Sequence, residues 1–448
     1  MDSTKPARGT RDFLPDDVRR RAYVIGVIED IYARYGFEPL ETPAVENIET
    51  LLGKYGEEGN RLIFKILKRG EHEHTGEADL ALRYDLTVPL ARVIAEYRSQ
   101  LPRFFKRYQI QPVWRADRPA RGRFREFYQC DVDAVGSRSM VVEAELCAAV
   151  TDVLSHLGFA DFVIRLNHRD VLRGLLDGAG VPGDRHDSVL VSVDKLDKIG
   201  TDGVIGDLAQ RGIDGGTARA ILGAFELPAG RGAAEAVHVL EARLRGHDAG
   251  ERGLQEVREI LSLSTCTPAG PHVHLDPGLA RGLSYYTGAI FEVAVPDLAG
   301  SLGGGGRYDD LIGMFLGQSV PACGFSLGLE RILVVMGERG MFPATAVRAG
   351  VDVLVTIWDP PSIADSLALA HELRAAGIPS DVYPEPDRIG RQVKFASARG
   401  IPFVTIVGED ERAKGEVTLK RLATGEQHCV PRTGLPRALR DLQSAAGR

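Results

Sequence analysis

The sequence predicts an α+β domain built on an antiparallel sheet flanked by helices, with a helical insertion and a C-terminal α/β domain. Two β-rich segments separated by turn residues, between Arg103 and Asp133, predict a long antiparallel hairpin. From Asp170 to about Pro268, Ala, Leu, Gly and charged residues at helical spacing predict the insertion. From Val351 onward, strand and helix patterns alternate as β-α-β-α-β, which favours a mainly parallel sheet. The expected domain boundaries are residues 1–169 with 269–344, then 170–268, and 350–448.

Length and composition indicate a multidomain globular protein. The chain has 448 residues, more than one hydrophobic core usually supports, and 44% of them are hydrophobic. No apolar run approaches the roughly 20 residues that a membrane-spanning helix needs. The N-terminal residues lack the apolar segment of a secretory signal. The five cysteines are scattered without a Cys-X-X-Cys motif, which argues against a zinc site or a disulfide framework. We therefore expect a cytoplasmic protein without membrane association.

Charge is segregated within the C-terminal domain. The whole chain carries a net charge of −7, which argues against binding nucleic acid through bulk positive charge. Residues 351–387 contain one Arg and seven acidic residues, whereas residues 388–448 contain twelve basic and six acidic residues. This segregation predicts a binding face on the last part of the domain.

The predicted hairpin combines cations, aromatic rings and carboxylates. Side chains alternate along a strand, so Arg115 and Asp117 share one face of the first arm. On the return arm one face carries cations, then an aromatic ring, an amide and two carboxylates. These residues are Arg123, Arg125, Phe127, Gln129, Asp131 and Asp133. The order favours a site that takes an anion at one end and a cationic, hydrogen-bonding ligand at the other. A solvated hairpin with mixed charges is the alternative.

A second candidate segment lies upstream of the hairpin. Residues 80–88 alternate in polarity, which predicts a strand with Arg83, Asp85 and Thr87 on its polar side. Pro89 then opens a predicted helix. A carboxylate and a hydroxyl together can hold an ammonium group. Capping of the helix by Asp85 or Thr87 is the alternative.

Further candidate groups follow the insertion. Arg281 precedes Tyr285 and Tyr286, a pattern that suits phosphate or carboxylate binding beside an aromatic wall. A strand with core tyrosines and a surface arginine is the alternative. Four consecutive glycines, Gly303–Gly306, permit close approach of the backbone to a ligand, although a tight turn before a helix would also use them. Arg331, at the start of an apolar helix, could reach a terminal phosphate.

Taken in chain order, these segments resemble a known family. They are RGTRDFLP, FEPLETP, RYDLT, the hairpin WRAD and RGRFREFYQCDVD, LARGLSYYTG, GGGGRYD and GFSLGLER. They resemble the motifs of class II aminoacyl-tRNA synthetases and, within that class, of the histidyl-tRNA synthetase family. The resemblance implies a class II catalytic domain, an anticodon-binding C-terminal domain and a homodimer. Ser284 stands where the family commonly has an acidic residue, and Asp117 where class II more often has Glu.

The resemblance implies a histidine-binding set of carboxylates, a hydroxyl, an amide, guanidinium groups and two aromatic rings. Asp85 and Thr87 would hold the α-ammonium group, with Gln129 beside them. Asp133 would accept a hydrogen bond from the imidazole, and the tyrosine pair would close the pocket. The full set is Asp85, Thr87, Arg115, Gln129, Asp133, Arg281, Tyr285 and Tyr286.

The resemblance also implies an ATP-binding set and the partners of the reaction. Arg115 would grip the α-phosphate and the substrate carboxylate, and Phe127 would stack on adenine. Arg123 and Arg331 would meet the outer phosphates, while Arg281 would stabilise charge at the reacting phosphorus. Arg115 and Arg281 are thus the expected catalytic residues. The implied substrates are L-histidine, ATP with Mg²⁺, and tRNA(His).

Three other functions remain open from the sequence. The regulatory subunit of ATP phosphoribosyltransferase resembles this catalytic domain and senses histidine without catalysis. It typically lacks the C-terminal domain and parts of the motif around Arg281, and both are present here. A different class II synthetase is opposed by LARGLSYYTG. A scaffold protein gives no account of why Arg115, Arg281 and Arg331 all lie near glycines or turns at strand ends.

Overall fold

The computed structural model describes residues 4–70, 74–227, 233–280, 285–347 and 350–446. The chain divides into two compact units, Met1–Phe342 and Pro343–Arg448. The first unit contains the predicted hairpin and the glycine-rich segment, and the second contains the predicted β-α-β-α-β segment. Among the helices of the described residues, none combines the length and the apolar character that crossing a membrane requires.

The first unit interleaves strands and helices. The strands are β1 (Glu38–Pro39), β2 (Val45–Asn47), β3 (Lys65–Leu67), β4 (Ala78–Leu82), β5 (Phe105–Trp114), β6 (Glu126–Val135), β7 (Val163–His168), β8 (Val273–Leu275), β9 (Ala289–Ala294), β10 (Gly303–Arg307) and β11 (Ala322–Gly328). The helices are α1 (Pro15–Arg34), α2 (Ile48–Leu51), α3 (Gly56–Arg61), α4 (Thr87–Glu96), α5 (Val141–His156), α6 (Arg169–Gly178), α7 (His186–Val193), α8 (Leu196–Gln210), α9 (Gly215–Phe225), α10 (Ala233–Leu244), α11 (Asp248–Ser264), α12 (Gly313–Leu316) and α13 (Leu329–Glu338). Helices α6–α11 all lie between β7 and β8, where the composition predicted helices.

An eight-stranded sheet organises this unit. Its strand order is β1-β5-β6-β11-β10-β9-β7-β8. Along this order, each pair of neighbouring strands between β5 and β7 is antiparallel. The edge strands β1 and β8 pair in parallel with β5 and β7. The predicted hairpin is confirmed as β5 and β6, which pair over ten residues from Phe105↔Val135 to Trp114↔Glu126. The centre of the sheet is therefore the predicted antiparallel platform.

The hydrophobic core covers one face of the sheet. Helix α1 begins at Pro15, carries two Asp in its first turn, and buries Val24, Ile28 and Ile31 in this core. Cys130 and Val132 of β6 face the same core. Because side chains alternate, the intervening residues of β6 project from the opposite face. That opposite face carries the polar residues that the hairpin pattern singled out.

Two expectations about local structure were wrong. The strand predicted for residues 80–88 ends at Leu82, and α4 begins at Thr87 rather than at Pro89. Arg83 is buried instead of lying on a polar strand face, because its guanidinium donates to the carbonyl oxygens of Thr42 and Pro112. The four glycines form strand β10 in the middle of the sheet, so the alternative of a tight turn before a helix is excluded for them.

The second unit has the predicted α/β pattern. Its strands are β12 (Val353–Val355), β13 (Ser380–Val382), β14 (Phe403–Ile406), β15 (Glu416–Arg421) and β16 (Gln427–Pro431). Its helices are α14 (Ala344–Val347), α15 (Ile363–Ala375), α16 (Ile389–Ala398), α17 (Glu409–Lys414) and α18 (Leu435–Ala446). The order is β13-β12-β14-β15-β16, with the first three strands parallel and the last two forming an antiparallel hairpin.

Candidate active site

A cavity of about 280 Å³ lies against the polar face of the large sheet. Its walls come from the β5–β6 hairpin, β10, β11, the start of α13 and the residues just before β9. Eight of the residues predicted for the site line it: Thr87, Arg115, Arg123, Phe127, Gln129, Tyr285, Tyr286 and Arg331. Asp85 and Asp133 are not among the lining residues, and Arg281 lies outside the described residues. The cavity thus gathers groups from four distant stretches of the chain.

Arg115 is held in place at the end of the first hairpin arm. Its Nε donates a 3.0 Å hydrogen bond to the carbonyl oxygen of Tyr84. Its guanidinium lies over the Tyr84 ring at 4.3 Å and over the Phe127 ring at 5.2 Å. A cation between two ring faces loses little rotamer entropy when an anion binds, since its orientation is already fixed.

The turn between the hairpin arms brings Arg123 to the cavity, beside Arg331 of α13. Backbone hydrogen bonds in both directions join Ala120 and Arg123 in a tight turn. Gly122 within it has a φ of +67°, and a Cβ there would lie 3.2 Å from Cγ of Arg331. The turn therefore packs directly against Arg331, which is why Arg123 and Arg331 reach the same space. Arg115, Arg123 and Arg331 all line this one cavity.

Asp85 lies beneath the cavity wall and is almost completely buried. Its Oδ1 accepts hydrogen bonds from the Tyr55 hydroxyl and the Val88 amide, both at 3.0 Å. Its Oδ2 accepts one from the Tyr285 hydroxyl at 3.2 Å. Burial raises the pKa of Asp85 above its ordinary value, although the Val88 amide, Arg115 and the two hydroxyls oppose this rise. Asp85 connects to the cavity through Tyr285.

Asp133 lies on β6, on the same face as Gln129, and it is also buried. Its Oδ2 lies 2.9 Å from Nη2 of the fully buried Arg107, and its Oδ1 accepts a hydrogen bond from the Tyr308 hydroxyl. Burial raises the pKa of Asp133, and Arg107 and Tyr308 act against that rise. A Cβ on Gly324 of β11 would lie 1.9 Å from Oδ1 of Asp133. Only glycine at 324 leaves room for this carboxylate.

Two tyrosines form the aromatic wall. The rings of Tyr285 and Tyr286 meet edge to face, with 5.1 Å between their centroids. A Cβ on Gly306 would lie 2.9 Å from the Tyr286 ring. The glycine at 306 therefore admits this ring against β10, a role that the sequence pattern did not predict.

Sequence reasoning missed several residues that support the site. Arg107 lies eight residues before Arg115, so strand alternation alone would have placed both on one face. Ser326 and Glu330 also line the cavity, and Glu330 accepts hydrogen bonds from Arg21 and from the Tyr128 amide. Tyr55 and Tyr308 gave no sequence signal, because only the folded chain brings them to Asp85 and Asp133.

Comparisons with known proteins identify the family of the chain. Residues 9–332 match the family model described as Histidyl-tRNA synthetase, and residues 354–442 match the one described as Anticodon binding domain. The chain is 44% identical to the histidine–tRNA ligase of Gloeobacter violaceus, over 94% of this chain and 95% of that protein.

Solved structures extend the likeness to the fold. The histidyl-tRNA synthetase from Nostoc sp. PCC 7120 superposes with a TM-score of 0.82 at 29% identity, covering 98% of this chain and 100% of the other. A Bacillus halodurans protein described as an ATP phosphoribosyltransferase regulatory subunit/histidyl-tRNA synthetase gives a TM-score of 0.70 at 20% identity, covering 88% and 97%. The second likeness shows the fold alone. Family match, near-complete coverage and site geometry agree, and the chain belongs to the histidyl-tRNA synthetase family.

Proposed function

We propose that this chain activates L-histidine with ATP to histidyl-adenylate and transfers the histidine to the 3′ end of tRNA(His). The observation that carries the proposal is the single cavity lined by Arg115, Arg123 and Arg331 together with Gln129 and the tyrosine pair. Three guanidinium groups suit a polyphosphate, and an amide beside aromatic rings suits a small polar amino acid.

The first step needs alignment more than proton transfer. A substrate carboxylate is already ionised near pH 7, so its attack on the α-phosphate requires no general base. The described residues that line the cavity include no histidine or cysteine, in keeping with such chemistry. Arg115, fixed between Tyr84 and Phe127, is the group we propose to hold the carboxylate and the α-phosphate in line.

Charge neutralisation is the second requirement. Negative charge builds on the α-phosphate during attack and passes to pyrophosphate as the bond to the leaving group breaks. Arg123 and Arg331 are proposed to meet the outer phosphates, and Arg281 to stabilise the reacting phosphorus. The packing of the Arg123 turn against Arg331 supports joint action of these two arginines. Phe127 is proposed to stack on adenine.

The amino acid end is proposed to select histidine. Thr87 and Gln129 line the cavity, and Asp85 lies directly behind Tyr285. We propose that Asp85, Thr87 and Gln129 bind the α-ammonium group and that Asp133 accepts from the imidazole. The tyrosine pair would enclose the ring. Leaving a buried acceptor unpaired costs about 1–3 kcal/mol, so a side chain without an N–H at that point would be rejected.

We propose that Mg²⁺ enters the cavity together with ATP. Within the described residues, no group of three or more His, Cys, Asp or Glu is arranged to hold a metal ion. Mg²⁺ commonly takes one or two carboxylates and completes its shell with phosphates and water. Asp117 and Glu330 line the cavity and could supply these carboxylates. The ion would neutralise phosphate charge.

The remaining parts of the proposal concern domains and partners. Residues 1–169 and 269–344 form the proposed catalytic domain, 170–268 the insertion, and 350–448 the domain that binds the tRNA anticodon. We also propose a homodimer in the cytoplasm. All five cysteines are free thiols, which suits a reducing compartment.

One pair of assays tests the function. Purified protein is expected to catalyse ATP–pyrophosphate exchange that depends on histidine, and then to charge tRNA(His). Exchange with another amino acid in place of histidine would assign a different synthetase. Histidine binding without any exchange would assign the non-catalytic regulator. Light scattering on the same sample measures the mass expected for a dimer.

A further inference from the structure

The strand face below the cavity carries, beside Asp133, a second carboxylate, which has no role in the proposed function. Asp131 lies on β6 between Gln129 and Asp133, and it is 2% exposed. Its neighbours across the sheet are Gln109 on β5 and Ser326 on β11. Like Asp85 and Asp133, it is not among the described residues that line the cavity, but the proposed function gives it no contact with the substrate. Any effect on the reaction must pass through a neighbouring side chain.

Gln129 is that neighbour. Its Nε2 donates a 2.8 Å hydrogen bond to Oγ of Ser326 and a longer one, at 3.4 Å, to Oδ1 of Asp131. An ionised carboxylate only accepts hydrogen bonds, so the amide must turn its nitrogen and not its oxygen toward Asp131. The amide would otherwise flip at little cost, because Ser326 can either donate or accept. Asp131 is therefore the group that decides the orientation.

The orientation leaves one acceptor unused. Gln129 is 8% exposed and lines the cavity, while its Oε1 is buried without a hydrogen-bond partner among the described residues. Buried polar atoms without partners are rare, because each costs free energy in the unliganded protein. A ligand that brings an N–H group to Oε1 would recover that cost.

We propose that Asp131 is a positioning residue that fixes the Gln129 amide with its oxygen free to accept from the cationic nitrogen of the amino acid. The inference rests on the proposed function, since it deepens the recognition of the substrate at that site. Asp131 accepts from one hydrogen of the Gln129 amide nitrogen, and Ser326 accepts from the other. The amide oxygen must then face the ligand. The site would therefore bind a ligand with an N–H donor at this point more tightly than a ligand without one.

Electrostatics give this arrangement a pH dependence. Burial, with Asp133 close by, raises the pKa of Asp131 to about 7 despite the attraction of Arg107. Above that pH the carboxylate holds the Gln129 nitrogen; below it, a protonated Asp131 can donate and no longer dictates the orientation. The charged and titratable groups around it come from α1, the segment before α4, β5, β6 and the tyrosine pair: Tyr32, Arg83, Asp85, Arg107, Cys130, Asp133 and Tyr286.

The test is a double-mutant cycle on Asp131 and Gln129, read by histidine-dependent ATP–pyrophosphate exchange. Asp131→Asn is expected to raise KM for histidine between about 5-fold and 100-fold, with kcat and KM for ATP nearly unchanged. Gln129→Ala should raise KM for histidine by at least as much. If Asp131 acts through Gln129, the double variant should match Gln129→Ala alone.

Two further variants keep the result interpretable. Ser326→Ala removes a single hydroxyl, so it should fold even if Asp131→Asn does not, and it should raise KM for histidine by a smaller factor. Asp152→Asn is the matched control, because Asp152 accepts a hydrogen bond from Tyr35 on the far side of the sheet. Its KM for histidine should equal that of the wild type.

The pH profile supplies a readout that a purely structural role would not move. The ratio of KM values for Asp131→Asn and wild type cancels the titration of free histidine itself. That ratio should increase as pH rises from 6 to 8 and should be near one at the acid end. Additive effects in the cycle, a flat ratio, or an unchanged KM would overturn the positioning role. Wild-type protein without any histidine-dependent exchange would instead overturn the proposed function.

Discussion

The Tyr285 hydroxyl donates a 3.2 Å hydrogen bond to Oδ2 of Asp85. Tyr285 lines the cavity and Asp85 lies behind it, so this bond connects a buried charge to the binding surface. Burial raises the pKa of Tyr285 well above its ordinary value, which keeps the hydroxyl protonated and able to donate. Among the described residues, Asp85 therefore depends on Tyr285 and Tyr55 for two of its three hydrogen-bond donors, at 3.0–3.2 Å.

Replacing Tyr285 by Phe should weaken histidine binding. The change leaves Oδ2 of Asp85 without its donor while keeping the ring, at a cost of about 1–3 kcal/mol. We expect KM for histidine in ATP–pyrophosphate exchange to rise at least about fivefold. KM for ATP should stay constant, and Tyr97→Phe, at an exposed tyrosine, serves as the control. An equal rise in KM for histidine and for ATP would mean that the ring has moved and that the lost hydrogen bond is not the cause.

The sequence predicted which residues of β6 share a face, but it did not predict the buried side-chain contacts around them. Alternation along the return arm put Gln129 and Asp133 on one face, and their pairing with Gly328 and Gly324 of β11 confirms it. The same reasoning failed for Arg83, because the strand ends at Leu82 and the guanidinium donates to the carbonyl oxygens of Thr42 and of Pro112 on β5. Contacts such as Tyr308 to Asp133 span 175 residues and follow from tertiary packing alone.

Gly324→Ala should disable the site, because a Cβ at 324 would lie 1.9 Å from Oδ1 of Asp133. The carboxylate or the strand must shift, and we expect histidine-dependent exchange to fall by at least about a hundredfold, as displaced catalytic geometry does elsewhere. Gly337→Ala in α13 is the matched control, since a Cβ there meets nothing within 4 Å. That variant should keep full exchange and gain about 0.5–1 kcal/mol of stability. Normal exchange in Gly324→Ala would show that Asp133 need not occupy this position.

Asp133→Ala should abolish histidine-dependent exchange and also destabilise the protein. Without Asp133, the carboxylate nearest to the fully buried Arg107 is Asp131 at 4.0 Å, and an unpaired buried charge costs about 3–5 kcal/mol. Thermal unfolding measured beside exchange separates the two effects. Asp309→Asn is the control for lost stability. It weakens the ion pair between Asp309 and Arg307, so it should lower the melting temperature without raising KM for histidine. An unchanged KM for histidine in a folded Asp133→Ala protein would remove Asp133 from the pocket.

Stability should depend on pH through Asp131. Its pKa of about 7 in the folded protein exceeds the value of about 3.9 expected when unfolded, so the folded state binds more protons between these values. The contribution of this group to stability is therefore full below about pH 4 and is lost as pH rises through 7. Asp131→Asn removes the buried charge, so its melting temperature relative to wild type should be higher at pH 8 than at pH 5. A difference that is the same at both pH values would contradict the raised pKa.

Two basic side chains of α16 allow a matched test of tRNA binding by the second unit. Arg391 donates to both carboxylate oxygens of Asp387, at 3.2 and 3.3 Å, so its charge is already partly neutralised. Lys394, three residues along the same helix, is exposed and has no carboxylate partner among the described residues. A free cation attracts phosphate more strongly than a paired one, and each phosphate contact releases a counterion.

Lys394→Ala should therefore raise KM for tRNA(His) more than Arg391→Ala does, while histidine-dependent exchange stays at the wild-type rate in both. The salt dependence of tRNA affinity should also lose about one unit of slope in Lys394→Ala, because one fewer counterion is released. Charging assays and filter binding between 50 and about 200 mM salt measure both effects. Equal effects of the two substitutions would mean that pairing with Asp387 does not matter. No effect of either would place the tRNA on another face of the unit.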